Sequence, residues 1–337
     1  MSLLFACLTL RALTTGALAA APNVTVDVTL PPQAQQAGLN EAQLEDALAN
    51  AIGQELHTVD LSEYMNQMAN ANVLSAKGIG VDYGSDMQRF AVGGGFGTAV
   101  NGAGFALTSG DQLPETGFAL QIGVMAGLNL GAFSPPESAL RRFRLYVNGM
   151  TATTQREPFT ATFLNYGGHL QIQVVKGGEK KDGVRWGGLD LTSGYEFSSY
   201  SLDLQKSYPI SAEGLTWAAN GGINLRAAAQ SIPMELSTNL HIFVVTAFLG
   251  AGADYNLSGD ATATINVSGP IDFEYQGQTS EVGYAAAGVS QTGTAAELTP
   301  RVFAGAQVDV FMVKVYGQLN VTLDHSVGGH VGLRVVL

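Results

Sequence analysis

Residues 118–130, FALQIGVMAGLNL, place Phe118, Leu120, Ile122, Val124, Ala126, Leu128 and Leu130 at every second position, with Ala119, Gln121, Gly123, Met125, Gly127 and Asn129 between them. A period of two belongs to a β-strand whose faces meet different surroundings. At about 3.3 Å per residue the run spans roughly 40 Å. The usual strand has about five or six residues. A strand this long, apolar on one face and small or polar on the other, suits a wall between lipid and water.

The alternation repeats along the chain. In 215–230, Leu215, Trp217, Ala219, Ile223, Leu225, Ala227 and Ala229 oppose Thr216, Asn220, Asn224, Arg226 and Gln230. In 245–257, Val245, Ala247, Leu249, Ala251, Ala253, Tyr255 and Leu257 oppose Thr246, Gly250, Asp254 and Asn256. The phase flips between Val244 and Val245 and again near Phe311–Met312, as tight turns require. Between the breaks lie strands near 89–105, 116–131, 140–153, 159–175, 184–198, 214–230, 234–244, 245–257, 260–275, 300–310, 313–323 and 328–337. The alternative of fourteen strands adds 77–83 and 282–290. Residues 108–115, 199–213 and 276–299 are then outer loops, and SPPES (134–138) an inner one.

Ahead of these strands the period changes. Asn40 with Gln43 and Asp60 with Glu63 form capping boxes. They open amphipathic helices over about 41–57, striped by Leu44, Leu48, Ile52 and Leu56, and over about 61–75, striped by Leu61, Tyr64, Met65 and Met68. Residues 1–21 read as a secretory signal ending in Ala17-Leu18-Ala19, and a buried helix is the alternative. With Cys7 in the signal, the mature chain has no thiol, which excludes disulfides and Cys-ligated metals. The 337-residue chain carries a net charge of −12, becoming −13 if Arg11 leaves with the signal. Nucleic acid, which needs clustered Lys and Arg, is a poor partner.

Over residues 77–337 the chain resembles the bacterial outer-membrane β-barrel class, on its repeated dyads, signal and a final strand, HVGLRVVL, with Val331, Leu333, Val335 and Leu337 on one face. It departs from the class in ending on Leu337 where an aromatic is usual. A soluble sandwich also alternates, but several segments here run for 13–17 residues, and a tilted membrane strand needs about 9–11. The fold expected is an all-β, antiparallel up-and-down transmembrane barrel of about twelve strands, preceded by a periplasmic helical segment over 22–76. The resemblance implies outer-membrane lipid and the barrel-assembly machinery as partners, with an envelope protein able to meet the helices.

No cofactor is expected, and the protein is not expected to be an enzyme. His57, His169, His241, His325 and His330 form no zinc motif. No nucleophile elbow or phosphate loop occurs. Ser237 and His241 stand about 13 Å apart along one strand, too far for a nucleophile–base pair.

The polar phase instead marks a lumen, with Arg144, Asp190, Glu196, Arg226, Glu235, His241, Asp254, Asp309, Lys314 and Arg334 facing it. Its acidic members favour a weak cation preference if the barrel conducts. Gly93, Gly95 and Gly97 form a wall with no side chains, and glycine in a strand often marks close approach of another backbone. Leu44, Leu48, Ile52 and Leu56 are therefore expected against that wall, plugging the periplasmic mouth. Two functions follow, a passive channel or transporter for small or amphipathic solutes, and a non-conducting structural or interaction barrel.

Overall fold

The structure, a computed structural model, describes residues 23–36, 38–56, 60–102, 116–135, 137–179, 181–212, 215–275 and 278–337. The signal expected over 1–21 lies outside them. The N-terminal elements are β1 (Asn23–Thr29), α1 (Pro32–Gln36), α2 (Glu41–Leu56) and α3 (Leu61–Ser75). The first barrel strands are β2 (Phe90–Asn101), β3 (Gly117–Asn129), β4 (Phe143–Arg156) and β5 (Phe159–Lys176). Three long strands follow, β6 (Val184–Ala212), β7 (Leu215–Ile242) and β8 (Val245–Tyr275). The chain closes with β9 (Gln278–Thr294), β10 (Leu298–Val310), β11 (Val313–Thr322) and β12 (Ser326–Val336).

These twelve strands form one antiparallel sheet that closes on itself, as the alternation predicts. The ring of hydrogen bonds runs β2 to β8, then β10, β11 and β12, which pairs back onto β2. The other two strands stand above the ring. β9 pairs with the upper half of β8, and β1 with β9. Together with the upper parts of β6, β7 and β8 they raise a five-stranded wall over one side of the barrel.

The wall replaces several expected breaks. Residues 214–230 and 234–244 form a single strand, as do 245–257 and 260–275. At these points the chain makes a register shift, between Gln230 and Ser231 against β8, rather than a turn. Residues 199–213 and 276–299, expected as loops, supply the top of β6 and all of β9. The phase flips at Val244–Val245 and Phe311–Met312 are two-residue turns, with Phe243 and Phe311 at φ 52° and 55°.

Polarity inverts between barrel and wall. On β7 below the bulge, Met234, Leu236 and Leu240 face out, while Ser231, Glu235, Ser237 and Asn239 are buried within. Above it, Trp217, Ala219, Leu225, Ala227 and Ala229 are the buried residues, and Arg226 is exposed outside. The lower part is built for lipid outside and polar contents inside. The upper part is built for water outside and apolar contents inside. Along β8 the outward apolar run from Val245 to Leu257 rises about 28 Å at a 45° tilt, close to the roughly 25 Å band of outer-membrane barrels. Exposed aromatics mark its lower margin, among them Phe90, Phe133, Trp186, Phe243 and Phe311. Tyr166, stacked on Phe197 at 4.8 Å, and Tyr255 mark the upper one.

This inversion predicts a labelling pattern. In lipid nanodiscs, Arg226→Cys should react readily with a water-soluble maleimide. Leu236→Cys, on the same strand and face, should stay unreactive beneath the acyl chains. Equal reactivity at the two positions would remove the boundary placed between them.

Candidate functional site: a plugged lumen

The helices enter from the mouth opposite the C-terminus. Asn40 caps α2, its Oδ1 accepting from Ala42 N at 2.9 Å, and Asp60 caps α3 by accepting from Glu63 N at 3.0 Å. Helix α2 lies inside the wall, where Leu48 and Ile52 are buried with Leu225, Ala263 and Ala287, and Leu44 packs on the same cluster. Its Glu45 and Glu41 accept from Val28 N (3.1 Å) and Leu30 N (2.9 Å), covering part of the free edge of β1. Expected contact between Leu44, Leu48 and Ile52 and the glycine wall is absent. Those side chains find an apolar surface on the inner face of the extended sheet, whereas the lumen is polar. The side chain of Leu56 lies outside the described residues. The segment expected at the periplasmic mouth lies at the mouth opposite the C-terminus.

Helix α3 runs down into the barrel. Asn66 and Asn70 accept from Thr294 N and Ala296 N at the upper rim. Lower down, Asn72 donates to Ser198 O and Oγ at 3.2 Å, and Ala71 and Leu74 pack on Ala99 and Ala119. The end of α3, not α2, meets the glycine wall. A Cβ built on Gly97 would fall 2.7 Å from His330 Nε2 and still closer to the Ser75 carbonyl oxygen. Gly93 and Gly95 have as neighbours other wall strands and the side chains of Arg334 and Tyr316.

Residues 76–89, whose first part was expected within the barrel domain, complete the plug. They cross the lumen without regular structure to reach β2, and every residue from Ala71 to Ser85 is buried. Their polar atoms are met by the wall. Asp82 accepts from Arg334 Nη1 at 3.1 Å, while Arg334 Nη2 donates to Val81 O at 2.6 Å. Asn239 donates to Tyr83 O at 2.9 Å, and the Tyr83 hydroxyl donates to Glu235 Oε2 at 2.6 Å. Ser85 bonds Gln307, and Asn129 donates to Met87 O.

One charged cluster holds the centre. Lys77 Nζ contacts Glu196, lies 3.1 Å from Asp254 Oδ1, and donates to Ser231 Oγ at 2.8 Å. Asp254 also receives Arg301 Nε at 2.9 Å, and Arg301 goes on to Glu235 and to Asn320. Each ion here is buried. Losing either sign would leave an uncompensated charge in a medium that cannot solvate it. Above the cluster, burial pushes the Tyr64 phenol on α3 up to about 12, so it stays neutral and packs as an aromatic.

Of the expected luminal set, Arg144, Asp190, Glu196, Glu235, Asp254 and Arg334 lie buried inside the barrel. His241, Asp309 and Lys314 are half-buried at the lower rim, where Lys314 pairs with Asp309 at 3.2 Å. Arg226 belongs instead to the exposed outer face of the wall. Its apolar alternates point inward there because they pack on α2 and α3. The sequence reading missed Lys77, Asp82 and Arg301. A lone lysine in the apolar run VLSAKGIGV was the available signal. For Arg301, Phe303 in the same phase masked the polar face.

A closed antiparallel barrel with an apolar outer band and a polar interior is the outer-membrane barrel fold. The chain belongs to the Lsa36-like family, whose profile matches residues 19–337. Among curated proteins, none matches it in sequence. Solved structures also match the chain, at low identity. The toluene transporter TbuX of Ralstonia pickettii is 10% identical, covering 81% of this chain and 93% of its own, with a TM-score of 0.30. The translocator domain of autotransporter NalP from Neisseria meningitidis is also 10% identical, over 88% and 98%, with a TM-score of 0.32. The β domain of the Bordetella autotransporter BrkA is 14% identical over 74% and 100%, with a TM-score of 0.25.

Proposed function

We propose that this protein is a closed, non-conducting barrel of the outer membrane that presents its wall and α2 outside the lipid as an interaction surface. The observation that carries this reading is the unbroken buried run from Ala71 to Ser85, which fills the lumen and is bonded to its wall. Short turns face the periplasm in this class and long extensions face outward. On that arrangement the Phe243 and Phe311 turns and the C-terminus are periplasmic, and β1, α2 and the wall are extracellular. Residues 60–89 then pass from the outer mouth through the lumen to the first strand of the ring. The luminal carboxylates that would select cations are paired with Lys77, Arg144 and Arg301, which supports a structural use of the lumen over a selective pore.

Single-channel recording in a planar bilayer is the direct test. The intact protein should give no steady conductance. A reproducible ohmic current from intact protein would instead favour the passive channel for small or amphipathic solutes.

A further inference from the structure

Where the plug leaves the lumen, at the mouth bearing the C-terminus, a cavity of about 210 Å³ opens. Arg144, Lys176 and Arg185 line it, with His241 beside them and Asp86 as the one carboxylate. The chain as a whole has 16 Lys and Arg against 28 Asp and Glu, so three cations against one acid reverse the balance of the molecule. Arg144 is 6% exposed and its Nε has no acceptor. Its Nη1 donates to Gln171 at 2.9 Å and forms a looser ion pair with Asp190 at 3.6 Å, beyond hydrogen-bond distance. Among the described residues Lys176 has no ion pair. Arg185 reaches Asp86 of the plug at 2.5 Å.

We propose that this cavity is a phosphate-binding site and that the Asp86 carboxylate stands in for the anion at Arg185. Guanidinium forks beside an ammonium are the side-chain set that holds phosphate oxygens. Of the lining glycines, Gly178 has nothing within 4 Å of where a side chain would stand, which leaves room for an anion beside its backbone. The volume suits a single phosphate group and is too small for a nucleotide-sized ligand. Trp186 also lines the cavity, is 43% exposed, and belongs to the lower aromatic margin of the lipid band. Phosphate could therefore come from a phospholipid headgroup of the adjacent leaflet or from a free phosphorylated solute. Either would compete with Asp86 for Arg185 and so bear on the exit of the plug.

The test uses the full chain in neutral detergent, titrated calorimetrically with inorganic phosphate at constant ionic strength. A parallel arm measures retention of phosphatidylglycerol against an uncharged glycolipid by native mass spectrometry. Saturable one-to-one binding of either probe is expected, at least tenfold weaker in Lys176→Glu/Arg185→Glu. Lys176 is exposed and Arg185 half-buried at the rim, outside the packed lumen, so the heat-modifiable gel mobility of that variant should be unchanged. Binding of phosphate alone assigns a free solute, and retention of phosphatidylglycerol alone assigns the lipid. Asp86→Asn should tighten binding several-fold by removing the internal competitor, and an unchanged affinity would overturn the stand-in role. No binding of either probe, or binding indifferent to the double substitution, would overturn the site.

Discussion

Lys77→Met should loosen the plug by about 3–5 kcal/mol, the usual cost of removing one partner from a buried ion pair. The ammonium sits between Glu196, Asp254 and Ser231 with no exposed surface. Asp254 would keep Arg301 at 2.9 Å, but Glu196 would keep only His169, at 3.5 Å. The penalty therefore falls mainly on Glu196. Chymotrypsin should cut at Tyr83 in the variant and spare it in the parent protein, and brief conductance events should appear in bilayers. Heat-modifiable mobility should persist, because no ring strand has been touched. Adding Glu196→Gln should recover much of the loss, since it removes the charge left unpaired. A Lys77→Met protein as protease-resistant as the parent would show that the cluster does not hold the plug.

Gly97→Leu should displace the lower end of α3 from the barrel wall. His330 Nε2 lies 2.9 Å from the Ser75 carbonyl, and its Nδ1 lies 3.0 Å from Asn320 Nδ2. A ring donating through Nε2 to Ser75 and accepting at Nδ1 from Asn320 satisfies both contacts. A leucine side chain would occupy the space that this bond needs. Overpacking costs about 1–3 kcal/mol and the lost buried hydrogen bond about 0.5–1.5 kcal/mol. A disulfide reports the displacement well, because the chain's one cysteine is Cys7. Leu74→Cys with Gly328→Cys should crosslink, as a Cβ on Gly328 lies 3.1 Å from Leu74 Cγ, and should fail to do so once Gly97→Leu is added. Leu48→Cys with Gly93→Cys should not crosslink in either background. An undiminished 74–328 crosslink in Gly97→Leu would remove Gly97 from the plug seat.

The sequence alone carried the barrel, because strand alternation is a local property. FALQIGVMAGLNL alternates in the structure as it does on paper, with Ala119, Gln121, Met125 and Asn129 buried and Val124, Leu128 and Leu130 exposed. The helix caps at Asn40 and Asp60 and the turns at Phe243 and Phe311 are equally local and equally legible. Alternation names two faces without saying which one turns inward. On β7 the same odd-numbered phase is inward at Leu225 and at Glu235, and only the neighbours distinguish them. Near Leu225 the inner space holds apolar helices and the outer space water, so Arg226 goes out. Near Glu235 the outer space is the apolar band, and the inner space holds Tyr83 and Arg301. The same limit hid the plug, since Lys77 is separated from Glu196 and Asp254 by more than a hundred residues and has no local periodicity to betray it. Burial of a charge is settled by its partners, and those partners meet only when the sheet closes around the chain.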